Sequence, residues 1–463
     1  MKVHRLAPRS TTRSRLIPVC AAVMLCCASL AAQAASSCVD EDNFDTAAAP
    51  RATLPAPVNP RVQLAQMVQD ALTRSKAVGA SRLLAEAAQQ DIEETRAGKS
   101  VQASVSAGIG PALSQSGNVT DSSAAQAHAS LTISQLLYDG GRTDRLVDWR
   151  TQIAESVRQG NLSQQEQIAV STVSLALERS RYRMQVQVYG QYVRKMSCLV
   201  EALETIVRSD RGRASELVQA RKSKQQAELS MADAQSQVRQ VEVRLRRFVG
   251  DGLPVGEGLS SVLLTVPPLD VLQNDVLRSA DLAQLDAQAS ASREYAAAVA
   301  AGGKPQVSWS VGGAKTMGAG GSTPNDLNRS GSLSVGVQVN IPLINPGVSY
   351  ASNAALKRAE AAELQRADAL EARRYRVAEV YEQTEAAFDR ARRTGAVLRD
   401  SDLVRNYTLQ QWQQLGRRSL FDVMAAEGEH YSLRVAYVNA IHDGQELNAV
   451  LLSLGRGVSE WLR

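Results

Sequence analysis

Histidine and cysteine, the residues that most often build metal and nucleophilic sites, are scarce in this sequence. Its 463 residues include four histidines and five cysteines, and His128, His430 and His442 lack the spacing of paired metal ligands. There is no phosphate-cradling glycine loop either, because glycines such as Gly312 and Gly320 lie in a strand-and-loop pattern. We therefore expect surface histidines, no bound metal or cofactor and no enzymatic activity.

The few cysteines also exclude a disulfide-built scaffold. Three of the five lie within the first 34 residues, which leaves Cys38 and Cys198 in the remainder of the chain. Cys38 follows Ala35-Ser36-Ser37, which weakly matches a lipoprotein processing site but lacks the large aliphatic residue three positions earlier. Acylation of Cys38 and a Cys38–Cys198 pair both remain open from the sequence.

Residues 1–34 have the pattern of a secretory signal peptide. Five basic residues precede an apolar run over residues 16–30, and Ala32-Gln33-Ala34 forms a small-residue cleavage site. The run is shorter than the roughly 20 apolar residues that a transmembrane helix needs, although a retained anchor is the alternative. Cleavage removes five positive charges and lowers the net charge from +5 to zero, so the chain gives no argument for nucleic-acid binding.

Proline is absent between Pro111 and Pro254 and again after Pro346, so helices can run unbroken there. Good helix formers with apolar residues at helical spacing predict long helices from about Arg142 to Arg208 and from Val348 to about Gln410. A helix of about 65 residues is roughly 100 Å long, far beyond the average helix. Returning helices, with apolar steps of three and four, predict coiled-coil packing, the alternative being an ordinary amphipathic hairpin.

Period-two alternation of apolar and polar residues predicts four strands. Apolar positions alternate over 101–109, 131–133, 307–311 and 333–341, and Gly/Ser/Asn-rich loops are expected over 114–123 and 318–330. Transmembrane strands need about 9–11 residues of this kind. Four strands cannot close a barrel and open edges are not tolerated in lipid, so the hairpins either cover a soluble core or share a barrel with other chains. We favour the shared barrel.

The two halves of the chain match at an offset of about 205 residues. Gly98-Lys99-Ser100 matches Gly303-Lys304-Pro305, Leu137 to Gly141 matches Leu343 to Gly347, and Gly212-Arg213-Ala214-Ser215 matches Gly416-Arg417-Arg418-Ser419. A period this long predicts two copies of one supersecondary unit, each with a helix, a hairpin, a long helix, a tip and a returning helix.

Three motifs within this order resemble the TolC family of outer membrane efflux and secretion proteins. Residues 136–142 (LLYDGGR) and 341–347 (IPLINPG) are similar to the family's strand-to-helix junctions, and residues 416–427 (GRRSLFDVMAAE) to its second helical tip. The resemblance covers nearly the whole chain after residue 34. It implies a mainly α fold with a small β part: a long antiparallel helical barrel, and a transmembrane β-barrel of twelve strands shared by a homotrimer.

On this basis we divide the chain as follows: signal peptide 1–34, flexible lead-in 35–61, repeat 1 62–255, linker 256–270, repeat 2 271–456 and C-terminal tail 457–463.

The resemblance also implies roles for individual residues. Asp422 matches the acidic ring at the periplasmic entrance, whereas the family's second acidic position is Ala425 here, which leaves cation selectivity open. Arg418 matches a tip arginine in a polar latch, but its expected partner positions hold Leu217 and Val218, so Glu216 is the nearest acid. We expect tip turns and adaptor docking at Gly212, Arg213, Ser215, Gly416, Arg417 and Ser419, with a positive φ at Gly212 and Gly416. The junction residues are Gly140, Gly141, Pro342, Asn345 and Gly347.

The function that the resemblance implies is passive export across the periplasm and outer membrane. The partners would be a periplasmic adaptor protein, an inner-membrane ABC transporter or proton-driven pump, the exported substrate and outer membrane lipid. We favour type I protein secretion, because the cleavable leader lacks a convincing acylation site. Multidrug or metal efflux is the alternative, and a soluble periplasmic coiled-coil scaffold is an alternative of another class.

Overall fold

The computed structural model describes residues 59–116, 119–254, 258–319, 327–415 and 418–463. The signal peptide, Cys38 and all but residues 59–61 of the expected lead-in lie outside these residues, as do Gly416 and Arg417. Cys198, half-buried on a long helix, is disulfide-bonded, and the other four cysteines lie outside the described residues.

Long helices flank two β-hairpins in the order that the sequence predicts. The elements are α1 (Pro60–Arg74), α2 (Lys76–Ala97), β1 (Gln102–Ser116), β2 (Val119–Tyr138), α3 (Arg142–Ser209), α4 (Ala214–Val249), α5 (Leu269–Asp275), α6 (Ala280–Ala301), β3 (Gln306–Ala319), β4 (Leu327–Asn340), α7 (Pro346–Gln410), α8 (Leu420–Ser453) and α9 (Val458–Leu462). The two longest helices match the proline-free stretches, and α7 begins with Pro346, whose missing N–H costs nothing in the first turn.

The four strands form one antiparallel sheet in the order β1-β2-β3-β4. β1 and β2 extend through most of residues 114–123, so the first predicted loop is too long: ladder pairing of backbone groups continues as far as Ser116 and Val119. The second predicted loop is likewise shortened, with β3 ending at Ala319 and β4 beginning at Leu327. Among the described residues, no helix is both long and apolar enough to cross a membrane.

The described chain divides into two compact units. The tip unit contains Glu178–Glu242 and Asp389–Ile441, and the sheet unit contains Pro60–Leu177, Val243–Phe388 and His442–Arg463. The largest apolar cluster of the sheet unit joins α1, α3, α4, α8 and α9 through fully or nearly fully buried side chains. Its members include Leu64, Met67, Val173, Leu177, Leu245, Leu259, Ala449 and Val458.

The predicted linker and the predicted C-terminal tail both contain residues that pack within the sheet unit. Gln445 and Asn448, both buried on α8, donate to the Leu259 carbonyl at 3.0 Å and to the Leu263 carbonyl at 2.7 Å, which anchors the described part of the predicted linker at these two residues. At the C-terminus, the Glu166 carboxylate accepts from the Val458 and Ser459 amides at the start of α9. These hydrogen bonds satisfy backbone groups that burial would otherwise leave unpaired.

Candidate functional sites

The first strand-to-helix junction is built around Asp139. Its carboxylate accepts from the Gly141 amide at 3.0 Å and from the Thr143 amide at 2.6 Å, so it caps α3. Burial alone would raise the pKa of Asp139, but the hydrogen bonds from Thr143 and Gly141 outweigh it and lower the pKa below its ordinary value. Gly140 and Gly141 have φ values of 69° and 86°, which explains the glycine pair.

Lys304, from the other half of the chain, contacts the backbone of this junction. Lys304 Nζ donates to the Gly140 carbonyl at 3.1 Å, and a Cβ on residue 140 would lie 2.4 Å from Lys304 Cβ. Lys304 belongs to the repeated Gly-Lys motif, whose first copy places Lys99 Nζ 2.6 Å from Asp144. The Gly-Lys motifs therefore brace the start of α3 from two sides.

The second junction has the same chain path without the buried acid. Pro342 is half-buried, Asn345 and Gly347 are exposed, and the Val348 amide donates to the Asn345 carbonyl at 3.2 Å. Leu343 and Ile344 are almost fully exposed. The two junctions thus differ in how their first helical turn is capped.

The sheet has one apolar face and one polar face. In the ladder, Val105 lies opposite Leu131, Leu131 opposite Gly313, and Gly313 opposite Leu333. Because paired residues of neighbouring strands share a face, all odd-numbered residues from 103 to 109, 127 to 135, 307 to 317 and 331 to 339 lie together. The apolar side chains of this face are Val105, Ile109, Leu131, Ile133, Val307, Trp309, Val311, Met317, Leu333, Val335, Val337 and Val339. Lys315 is its charged member.

The even-numbered face is rich in hydroxyl groups. Ser106 and Ser130 share a hydrogen bond of 2.7 Å across β1 and β2, which confirms that they point the same way. Ser104, Thr132, Ser134, Ser308, Ser310, Thr316, Ser332 and Ser334 also lie on this face. Among strand residues with described side chains, the face carries no Asp, Glu, Lys or Arg, and His128 is its titratable group. His128 is exposed, as predicted.

The first tip turn differs from the prediction at Gly212. Gly212 lies in a 3₁₀ turn, Arg211–Arg213, and it is absent from the glycines of positive φ, so the expected left-handed conformation is wrong. Asp210 instead caps the turn, accepting from the Gly212 amide at 2.9 Å, and Arg213 Nε lies 3.8 Å from the same carboxylate. The turn does not need a left-handed residue, because the Asp210 side chain accepts the hydrogen bond of the exposed Gly212 amide. Ser215 is exposed at the start of α4.

The second tip places Ser419 and Asp422 in a reciprocal pair. The Asp422 carboxylate accepts from the Ser419 amide at 3.1 Å, and the Asp422 amide donates to Ser419 Oγ at 3.3 Å. This is a capping box, with aspartate in the third helical position of α8. Asp422 is exposed, so the box leaves one side of its carboxylate open to solvent.

Arg418 and Glu216 do not form the predicted latch. Arg418 Nε donates to Gln411 Oε1 at 3.2 Å, within its own hairpin. Glu216 Oε2 is buried and has no hydrogen-bond partner among the residues that the structure describes. The exposed arginine finds a nearer acceptor in the π-helical turn Gln411–Leu415 that ends α7.

Apolar side chains occupy the place between the tip hairpins instead. Leu217, buried in the first turn of α4, belongs to a cluster that includes residues of α3 and of the start of α8. Its buried members are Met196, Leu199, Val200, Leu203, Leu217, Ala220, Leu420, Val423 and Met424, and Leu409 and Trp412 pack against them. We call this set the tip cluster.

A buried group of charges lies next to the tip cluster in the tip unit. Glu427 on α8 is fully buried, 3.7 Å from Lys195 Nζ of α3 and 3.6 Å from Arg405 Nη1 of α7. Arg405 also contacts Asp402 at 2.8 Å. The burial of Glu427 was not predicted, although a stripe at helical spacing on α8 indicates it. The stripe consists of Leu420, Val423, Met424, Glu427, Tyr431 and Arg434.

Two histidines contradict the expectation of surface positions. His430 and His442 are buried, in the tip unit and the sheet unit respectively. His430 packs edge-on against Tyr431, which in turn stacks on Tyr192 with ring centroids 4.8 Å apart. Burial, together with the nearby Glu427 carboxylate, raises the pKa of Tyr192. Within the described ranges, no group of three or more His, Cys, Asp or Glu could hold a metal ion.

Solved structures share this fold across most of their length. The chain matches a crystal structure of CusC, described for transmembrane channel formation, with a TM-score of 0.74 and 16% identity over 85% of this chain and 92% of that one. For the outer membrane protein VceC of Vibrio cholerae the TM-score is 0.69 with 19% identity, over 85% and 96%. For the open state of the Neisseria gonorrhoeae MtrE outer membrane channel it is 0.67 with 17% identity, over 86% and 90%.

No protein-family model and no curated protein matches the chain in sequence. Identities this low show the fold alone, and that fold is the one that the TolC resemblance predicts.

Proposed function

We propose that this protein is an outer membrane channel that exports substrates through a tunnel in the periplasm. The observation that carries the proposal is the sheet, whose apolar face is open to the surroundings: Ile109 and Leu333 are 82% and 80% exposed. An isolated sheet with such a face would aggregate in water. A lipid environment on that side, and water on the hydroxyl-rich side, suits both faces. The likeness in fold to solved outer membrane channels supports the same location.

The edges of the sheet support assembly with other copies. β1 and β4 are the outer strands, and each pairs with one neighbour in the described chain. Unpaired strand edges are not tolerated within lipid, so β4 of one copy would pair with β1 of the next. Three copies give twelve strands, an even number within the range of known membrane barrels. The homotrimer and its closed barrel are therefore parts of the proposal.

We infer that the two halves arose by duplication and that they build the tunnel wall together. Both halves run from a 22-residue helix through a hairpin to a helix of 68 or 65 residues and a returning helix of 36 or 34. The proposed repeats are 62–255 and 271–456, joined by 256–270 and followed by 457–463. Three chains then present six similar units around one axis.

The tips are the proposed periplasmic entrance. Asp422 would form a ring of three carboxylates there, which favours cations by charge. Gly212, Arg213, Ser215 and Ser419 lie on exposed turns that suit docking of a periplasmic adaptor. An inner-membrane ABC transporter or proton-driven pump would supply energy, since the proposed role of this chain is passive and involves no catalysis.

For the exported substrate, we propose type I protein secretion as the first candidate, because the signal-peptide pattern lacks a convincing acylation site. Multidrug or metal efflux is the second, because both branches share this fold. Deletion of the gene separates them: loss of a large protein from the culture medium supports secretion, whereas drug or metal hypersensitivity with unchanged secreted proteins supports efflux.

The channel proposal is tested with the full-length processed protein. We expect it in the outer membrane fraction, as a trimer on mild-detergent gels that dissociates on heating, and as discrete conductance steps in planar lipid bilayers. A monomer in the soluble periplasmic fraction would instead support the coiled-coil scaffold.

A further inference from the structure

Near their turns, the two tip hairpins, α3–α4 and α7–α8, make different kinds of contact within and between themselves. Further from the turns, Lys195 of α3 pairs with Glu427 of α8. Within residues 200–221, 409–415 and 418–424, the described polar contacts of side chains stay inside one hairpin: Arg221 with Glu204 at 2.7 Å, Arg418 with Gln411, and Ser419 with Asp422. The contact between the hairpins over these residues is the tip cluster.

Leu217 is the member of this contact that the first turn of α4 contributes. It is 9% exposed, whereas its neighbour Val218 is 65% exposed on the same helical turn. Leu203 of α3 and Leu420 of α8 are fully buried in the same cluster, so apolar surface from both hairpins is removed from water there. Such burial is non-directional and favourable in proportion to area.

We propose that the entrance of this channel is held closed by an apolar latch, centred on Leu217, Leu203 and Leu420, and not by ion pairs at the tip. This inference rests on the proposed channel function. Leu217 occupies a position where the resemblance predicts a polar latch residue. In the structure, the residues clustered with Leu217 are apolar. Opening the tip then means exposing apolar surface to water.

The apolar latch behaves differently from a polar one when salt is changed. Screening weakens ion pairs as ionic strength rises, so a polar latch opens in concentrated salt. Apolar contacts are not weakened by screening, and excluded salts such as sulfate strengthen them. The fraction of time that the wild-type channel spends open therefore stays the same or falls between 0.1 and 1 M salt.

The test measures single-channel records of the full-length protein in planar bilayers. In Leu217→Asn, which nearly keeps the side-chain size, the open fraction should rise about tenfold or more, the factor expected when one buried apolar side chain no longer favours the closed state. Val218→Asn is the matched control, because that side chain is already exposed, and Leu217→Met should behave as wild type. Arg418→Ala should leave the open fraction unchanged.

A wild-type open fraction in Leu217→Asn, or an equal rise in Arg418→Ala, would overturn the apolar latch while leaving the channel proposal intact. Absence of wild-type conductance would instead overturn the channel proposal. In that case Trp412, which packs on the tip cluster, still reports whether Leu217 holds the hairpins together. The measurement is acrylamide quenching of Trp412 fluorescence, obtained as the difference between each protein and its Trp412→Phe version. Quenching should increase in Leu217→Asn and not in Val218→Asn. Equal quenching in the two variants would show that Leu217 does not hold this contact.

Discussion

The carboxylate of Glu427 lies 3.7 Å from the ammonium nitrogen of Lys195, and both side chains are buried in the tip unit. Arg405 approaches the other carboxylate oxygen to 3.6 Å. One acid therefore joins α3, α7 and α8. A buried carboxylate is tolerated only when it is paired, so each of these charges depends on the others.

Replacing Glu427 by glutamine should destabilise the tip unit strongly. Lys195 would then lose the carboxylate that faces it, whereas Arg405 would keep Asp402 at 2.8 Å. Breaking a buried ion pair costs about 3–5 kcal/mol. The denaturation midpoint, followed by circular dichroism, should fall. Glu429→Gln, an exposed change two residues away, should leave the midpoint near wild type; equal midpoints for the two variants would show that Glu427 is not needed.

Asp139 should make stability depend on acid pH. Its lowered pKa means that the folded state binds this proton more weakly than the unfolded state, whose aspartate titrates near pH 4. The contribution is therefore present above about pH 4 and is lost as the pH falls through the lower folded value. Asp139→Asn should cost about 1 kcal/mol at pH 7 and flatten the acid loss. Thermal melting from pH 7 to pH 3 checks this, with exposed Asp148→Asn as the control.

The glycine pair at the first junction allows a graded test. Gly140→Ala combines a φ of 69° with a 2.4 Å approach to Lys304 Cβ, whereas Gly141→Ala has a φ of 86° and nothing within 4 Å. We expect a loss of about 1 kcal/mol for Gly141→Ala from strain, and a larger loss for Gly140→Ala. Gly79→Ala, inside α2 with open space around it, should stabilise by about 0.5–1 kcal/mol. Melting temperatures in that order support the assignment, and an inverted order contradicts it.

The proposed carboxylate ring can be separated from the capping box. Asp422→Ala removes both the charge and the cap, whereas Ser419→Ala removes the hydroxyl that accepts from the Asp422 amide and keeps the charge. We expect reduced cation selectivity in Asp422→Ala alone, with each variant losing about 1 kcal/mol of stability. Reversal potentials across a salt gradient measure the selectivity. Unchanged selectivity in Asp422→Ala would place that residue outside the constriction.

Neighbouring residues of β4 should respond in opposite ways to an added charge. Val337 lies on the apolar face and Gln338 on the hydroxyl-rich face. If the apolar face meets lipid, Val337→Arg should cost about 2–4 kcal/mol near the bilayer centre, whereas Gln338→Arg should be tolerated. Trimer yield in reconstituted vesicles measures this difference. Equal yields for the two variants would argue against a lipid-facing apolar surface.

Local pattern was sufficient for most of the fold. The proline-free stretches predicted α3 and α7 to within about two residues at either end, and period-two alternation placed all four strands. The loops and the turn at Gly212 were predicted less well. Strand ends depend on pairing with a neighbour, and the conformation at Gly212 depends on whether Asp210 can cap the turn; neither is a property of one segment.

At the candidate sites, the sequence identified exposed residues better than buried ones. Asp422, Arg418 and the junction glycines were named from local motifs, and their functional roles stay predictions. The burial of Glu427 and His430 was not predicted, because a charged or titratable residue in a helix is expected to be exposed to solvent unless its neighbours are known. Lys195, one of the partners of Glu427, comes from a helix more than 200 residues away in the chain.

The sequence by itself determined the long helices, the hairpins and the order in which they follow one another, because hydrophobic period, proline and glycine act over a few residues. Only the tertiary structure decided which strand face is apolar throughout, since that requires the register of four strands. It also decided that Arg418 bonds within its own hairpin, while Leu203 and Leu217 of one tip hairpin share a buried apolar cluster with Leu420 of the other. Contacts between distant segments depend on how complete helices pack, which no local pattern specifies.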